Sequence, residues 1–166
     1  MTANAHQWAL WISHTPLSVW LQHKVWVVPT SQSIHIVSVS VVFASALLIS
    51  LRILGLRVSG RTVGQLVQQL SPWMYAALAV LLATGALQTL IEPRRQFGAR
   101  VFWIKMALIV IVVLLTTFFV RAVTRDAHRW DSRAESPPMA KLFAVVSLAL
   151  WVGIIYCGRF IGYTGT

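Results

Sequence analysis

Four long apolar runs dominate the chain, separated by short polar connections. The most prominent begins at Ser33 and reads SIHIVSVSVVFASALLISLRILG to Gly55. At 1.5 Å rise per residue, a helix of this length crosses a hydrocarbon core of about 30 Å. The pattern predicts spans at 33–54, 72–91, 101–120 and 140–161. Pro72 is expected in the first turn of the second. The short connections make consecutive spans antiparallel neighbours. The predicted fold is an all-α, integral membrane four-helix bundle spanning 33–166.

Residues 1–32 follow a different pattern. Trp8, Trp11, Trp20 and Trp26 alternate with His14, His23 and Lys24, and Pro16 and Pro29 interrupt the stretch. Thr15-Pro16 suits a helix start, with Thr15 as cap and Pro16 in the first turn. Leu17, Trp20, Leu21 and Lys24 fall on one face and edge of that helix. Dense Trp marks the headgroup level. The segment is expected to form one or two short helices in the interface. The connection at 121–139 is markedly polar, ends in Pro137-Pro138 and reads as a solvated loop. In the fourth span, Ala149, Gly153 and Cys157 recur every four residues, a spacing that permits close helix approach.

Composition agrees with this reading. Of 166 residues, 57% are hydrophobic and 11% are charged, against roughly 25% charged in soluble domains. A net charge of +10 would suggest nucleic acid in a soluble protein. Here the basic residues lie between apolar runs, where they set orientation and meet anionic headgroups, and no nucleic-acid partner is expected. Eight Lys and Arg (52, 57, 61, 121, 125, 129, 133, 141) fall on one side of the spans. Six (24, 94, 95, 100, 105, 159) fall on the other. The richer side is expected to be cytoplasmic, which puts both termini outside. Cys157 is the only cysteine, so there is no internal disulfide and no cysteine-based metal framework. No basic n-region followed by an apolar stretch and a cleavage site opens the chain, so no cleaved signal is expected.

Candidate chemistry sits at one depth. His35 lies near the outer end of span one, Glu92 closes span two, Lys105 enters span three, and Arg159 lies in the last turn of span four. Ionisable groups within spans are costly and usually face protein or a cavity, so this shared layer is the candidate site. Ser38, Val42, Ser45 and Arg52 share the His35 face, which is small and partly polar. It could meet either another helix or a flat ligand. Each residue also has a plainer role: His35 as a hydrogen-bonded structural group, Lys105 and Arg159 as cations reaching headgroups, Glu92 as a partner of Arg94 or Arg95. His6, His14 and His23 lack the spacing of a metal motif. No nucleophile elbow or phosphate loop is present.

The lead-in WVVPTSQSIHIVS, the LRILGL end of span one, SPW at span two, Thr84-Gly85, Phe97 with Lys105, and the closing GRFIGY together resemble a family of bacterial four-span inner-membrane proteins of unknown function. Ser50 stands where that family usually carries an acidic residue. His35, Arg52 and the Phe-Trp-x-Lys of 102–105 also look like copper-resistance protein D-type membrane domains and haem-containing bacterial protoporphyrinogen oxidases. That likeness implies haem b with His35 as axial ligand to the iron. Ser38 and Ser45 would form the slot, and Lys105 or Arg159 would meet the propionates. A second axial histidine could come only from His14 or His23 on the same side.

Three functions remain open on the sequence. One is a redox or electron-transfer protein binding haem b or a quinone near the outer face through His35, Ser38, Ser45, Lys105 and Arg159. The second is a non-catalytic accessory subunit of a larger membrane complex or a homo-oligomer. The third is a small transporter or metal permease.

Overall fold

The computed structural model describes residues 3–56, 60–126, 128, 130 and 136–164. Seven helices are defined among them. They are α1 (Ala3–Ser13), α2 (Pro16–Gln22), α3 (Val27–Ile53), α4 (Val63–Ile91), α5 (Pro93–Gly98), α6 (Arg100–Arg125) and α7 (Pro138–Thr164). Four of these, Val27–Ile53, Val63–Ile91, Arg100–Arg125 and Pro138–Ile161, are long and apolar enough to cross a membrane. The chain is an all-α four-helix membrane bundle.

The spanning helices form a ring in which α3 packs on α4 and α7, and α6 packs on α4 and α7. Every neighbour in this ring is antiparallel, as the short connections require. Val42, Ile49, Ile53, Val67, Val112, Val123 and Trp151 fill the interior. Ser38, Ser45 and Ala46 keep the inner face of α3 small, which lets backbones approach where lipid offers no hydrophobic drive for association. On α7 the close face is carried by Ala140, Ala144 and Ser147, with Gly153 and Gly158 towards α6. Ala149, expected in that stripe, is exposed.

Two helix starts, those of α3 and α4, differ from the sequence reading. Pro29 was expected to break the chain before the first span, yet it sits within the first turn of α3, which begins at Val27. There its missing N–H removes nothing, because first-turn N–H groups have no intrahelical partner. Pro16, Pro93 and Pro138 open α2, α5 and α7 in the same way. Pro72 is the exception: it lies inside α4, which starts at Val63 rather than near residue 72. A capping box of Thr62 and Gln65 fixes that start. The added turns carry exposed Gln65, Gln68 and Gln69 on one side and buried Val63, Leu66 and Val67 on the other. They therefore form a polar overhang beyond the apolar run, and exposed Trp73 marks where that run begins.

At the far end of α3, Leu56 N–H donates to Leu51 and Gly55 N–H donates to Arg52. This Schellman closure requires the left-handed residue that Gly55 supplies at φ 100°. Arg52 Nε donates to the Arg61 carbonyl at 2.6 Å and ties down the α3–α4 connection. Arg52 thus serves the end of the bundle opposite His35.

The N-terminal helices are fastened to the other end. Thr15 caps α2, accepting from Ser18 N–H. Ser18 Oγ donates to the Leu90 carbonyl at 2.6 Å, and Gln22 Nε2 donates to Ile91 at 3.0 Å. Two of the four last carbonyls of α4, which have no intrahelical donor, are thereby satisfied by side chains of α2. The buried residues of α2 are Ser18 and Leu21; Leu17 and Trp20, expected on the same face, point outward. The variants Ser18→Ala and Gln22→Ala are each expected to destabilise the bundle by about 1 kcal/mol. Unfolding of the detergent-solubilised protein would measure it, and an unchanged double variant would show that the contacts carry no weight.

Candidate functional site

A cavity of about 370 Å³ opens at the end of the bundle that carries α1, α2 and α5. All four spanning helices and α5 contribute to its wall. His35, Glu92, Lys105 and Arg159, which the sequence placed at one depth, all line it. The antiparallel ring explains the convergence. Residue 35 lies about 12 Å into α3 and residue 105 about 7.5 Å into α6, both counted from this end at 1.5 Å per residue.

His35 is held by a partner that the sequence reading did not assign to the site. Its Nδ1 lies 2.8 Å from Thr84 Oγ1. The Thr84 hydroxyl itself lies 2.8 Å from the Val80 carbonyl one turn back, the usual recipient of a helical threonine's only hydrogen. With that hydrogen committed, the shared contact assigns the imidazole proton to Nδ1, donated to Thr84. Nε2 is left as an acceptor. Gly85 adjoins the ring: a Cβ there would stand 3.7 Å from His35 Cε1. The Thr84-Gly85 pair was visible in the sequence as a motif. Its value as a histidine seat needed the register of α3 against α4.

Lys105 is half-buried in the wall. Its Nζ lies over Gly158, 3.6 Å from where a Cβ would stand. It has neither a hydrogen-bond nor an ion-pair partner among the described residues, with His35 and Cys157 as its electrostatic neighbours. Glu92 does not answer it. That carboxylate pairs with Arg95 at 2.7 Å, three residues on, in a half-exposed contact of small energetic worth. Gln88, one turn beyond Thr84, also lines the cavity, and its buried Nε2 has no acceptor. Sequence reasoning passed over Gln88 because a glutamine in an apolar run carries no charge to flag it; its spacing of four from Thr84 was the available signal. Apolar wall comes from Val39, Leu81, Ile91 and Ile154, and the exposed rim from Ile36 and Ile155 on adjacent helices α3 and α7.

Ser38 and Ser45 are not in this wall. Both are buried in the helix packing, and their hydroxyls donate to Ile34 and Val41 at 2.8 Å. Of the two uses open to that small face, contact with neighbouring helices is the one seen. His14 and His23 do not line the cavity either. No group of three or more His, Cys, Asp or Glu able to hold a metal ion occurs among the described residues.

The site therefore combines an oriented imidazole and the Lys105 ammonium with Gln88, the Glu92–Arg95 pair and Arg159, against apolar walls and beside exposed Ile36 and Ile155.

Comparison with known proteins adds a family but no activity. The model of a family of unknown function, DUF6644, matches residues 23–164, so the chain belongs to that family. No curated protein and no solved structure matches it.

Proposed function

We propose that this member of a membrane family of unknown function binds the head of a quinone-type cofactor in its cavity and serves membrane redox chemistry. The observation that carries the reading is Lys105, with no hydrogen-bond or ion-pair partner among the described residues, lining one cavity with a histidine whose Nδ1 is already engaged; Gln88, whose buried Nε2 has no acceptor, stands in the same wall.

A quinone supplies two-electron, two-proton chemistry and presents two carbonyl oxygens on one ring. Lys105 and Gln88 offer donors for those oxygens. His35 Nε2 is an acceptor for a hydroxyl proton of the reduced form, with Thr84 keeping the ring's tautomer and orientation. Ile36 and Ile155 give an apolar tail a way out towards lipid. The volume, near the lower end of the roughly 300–1,000 Å³ of small-molecule sites, suits one ring better than a porphyrin. Haem b would have to take His35 as its single axial ligand, with Lys105 or Arg159 at the propionates, because neither His14 nor His23 reaches the cavity. The resemblance to bacterial inner-membrane proteins and the Lys and Arg asymmetry support an inner-membrane location with the cavity end outside.

Titration of the purified protein in nanodiscs with a short-tailed benzoquinone, followed by calorimetry, tests the proposal. Saturable binding without a Soret band is the expected result. A Soret band in the isolated protein that is lost in His35→Ala would replace the quinone with haem.

A further inference from the structure

The two N-terminal helices are built inside out. Helix α1 buries Ala9, and α2 buries Ser18 and Leu21, while Trp8, Trp11, Leu17 and Trp20 are each more than half exposed. In a helix facing water the large apolar side chains turn inward and polar ones outward. Here the inner residues are mostly small and the outer ones are the largest available. Neither ANAHQWALWIS nor PLSVWLQ contains a Lys, Arg, Asp or Glu, so no charge solvates the outer face. Val25 and Trp26, which follow, are exposed as well.

The position of this face is fixed. Ser18 and Gln22 hold α2 to the carbonyl end of α4, and α1 packs on α5 at the same end. The exposed tryptophans thus sit where the spanning helices leave the apolar layer. Exposed Ile34 and Ile36 near the start of α3 and Trp103 near the start of α6 lie at the same end of the bundle. Lys24 Nζ stands 5.6 Å from the Trp20 ring centroid, an amphipathic pairing suited to the headgroup boundary.

We propose that α1 and α2 form an anchor lying in the bilayer interface, with Trp8, Trp11, Leu17 and Trp20 inserted into the upper acyl region of the leaflet on the cavity side. The occupant of the face is lipid, because α1 and α2 are fastened at the end of the spanning helices and their outer face is uncharged and carries the aromatic composition of the bilayer boundary.

The test uses the full chain in nanodiscs of phosphatidylcholine and phosphatidylglycerol. In a Cys157→Ser background, a nitroxide is attached singly at Leu17→Cys, Trp11→Cys, Ile111→Cys and Gln68→Cys. Leu17→Cys keeps all eight tryptophans, so the aromatic part of the anchor stays intact. The relative relaxation by oxygen and by a water-soluble nickel chelate reports depth. Positions 11 and 17 are expected between the deep reference at 111 and the aqueous reference at 68. Values equal to those at 68 would overturn the anchor. Protection from both reagents would also overturn it, showing the face to be covered by protein, in this sample a second copy of the chain.

Discussion

Lys105→Met is expected to raise the stability of the bundle while abolishing ligand binding. An ammonium at membrane depth is costly, about 2.5–3.5 kcal/mol at the centre of a span and less near its end. Lys105 recovers none of that through a carboxylate, since Glu92 is paired with Arg95. Removing the charge while keeping the length of the side chain over Gly158 should stabilise by about 1–2 kcal/mol. The same change removes a donor from the cavity wall. Thermal unfolding and quinone titration of one preparation would check both halves. A variant that gained stability and bound as tightly as the parent would show that Lys105 only reaches for headgroups. Functional groups that destabilise the fold holding them are the usual signature of a site.

The second large effect is expected at the imidazole. His35→Ala should remove measurable binding. Thr84→Val, which keeps the volume of the threonine but leaves Nδ1–H without its acceptor, should weaken binding by roughly 10–100-fold, the scale on which the outer partners of functional histidines act. Thr84→Ser should restore it, because the hydroxyl returns. Binding constants for the three variants, with circular dichroism to verify helicity, would decide. If Thr84→Val bound like the parent, the 2.8 Å contact would be structural packing and His35 would need another role.

Much of this arrangement was legible from residue order alone. All four spans and the shared depth of His35, Glu92, Lys105 and Arg159 follow from apolar length and alternating direction, which need no tertiary detail. The early start of α4 was not read, although Thr62 and Gln65 carry its capping signature, because glutamines 65, 68 and 69 interrupt the apolar run. The start of α3 is hidden by Pro29, which reads as a breaker in the sequence but in a first turn is a starter. Ser38 and Ser45 were assigned to the site by angular position on α3. That angle says which side of a helix is small, but not whether a cavity or another helix lies opposite. Thr84 and Gln88 were missed for the converse reason: their importance comes from what stands across from them, and no periodicity records it.

The α2 hydrogen bonds to Leu90 and Ile91 join residues 72 and 69 positions apart. During synthesis, α1 and α2 are made before α4, yet the carbonyls that receive them belong to that later helix. The N-terminal pair must therefore stay undocked until the second crossing has been completed. Its docking becomes a late assembly step that closes one end of the bundle.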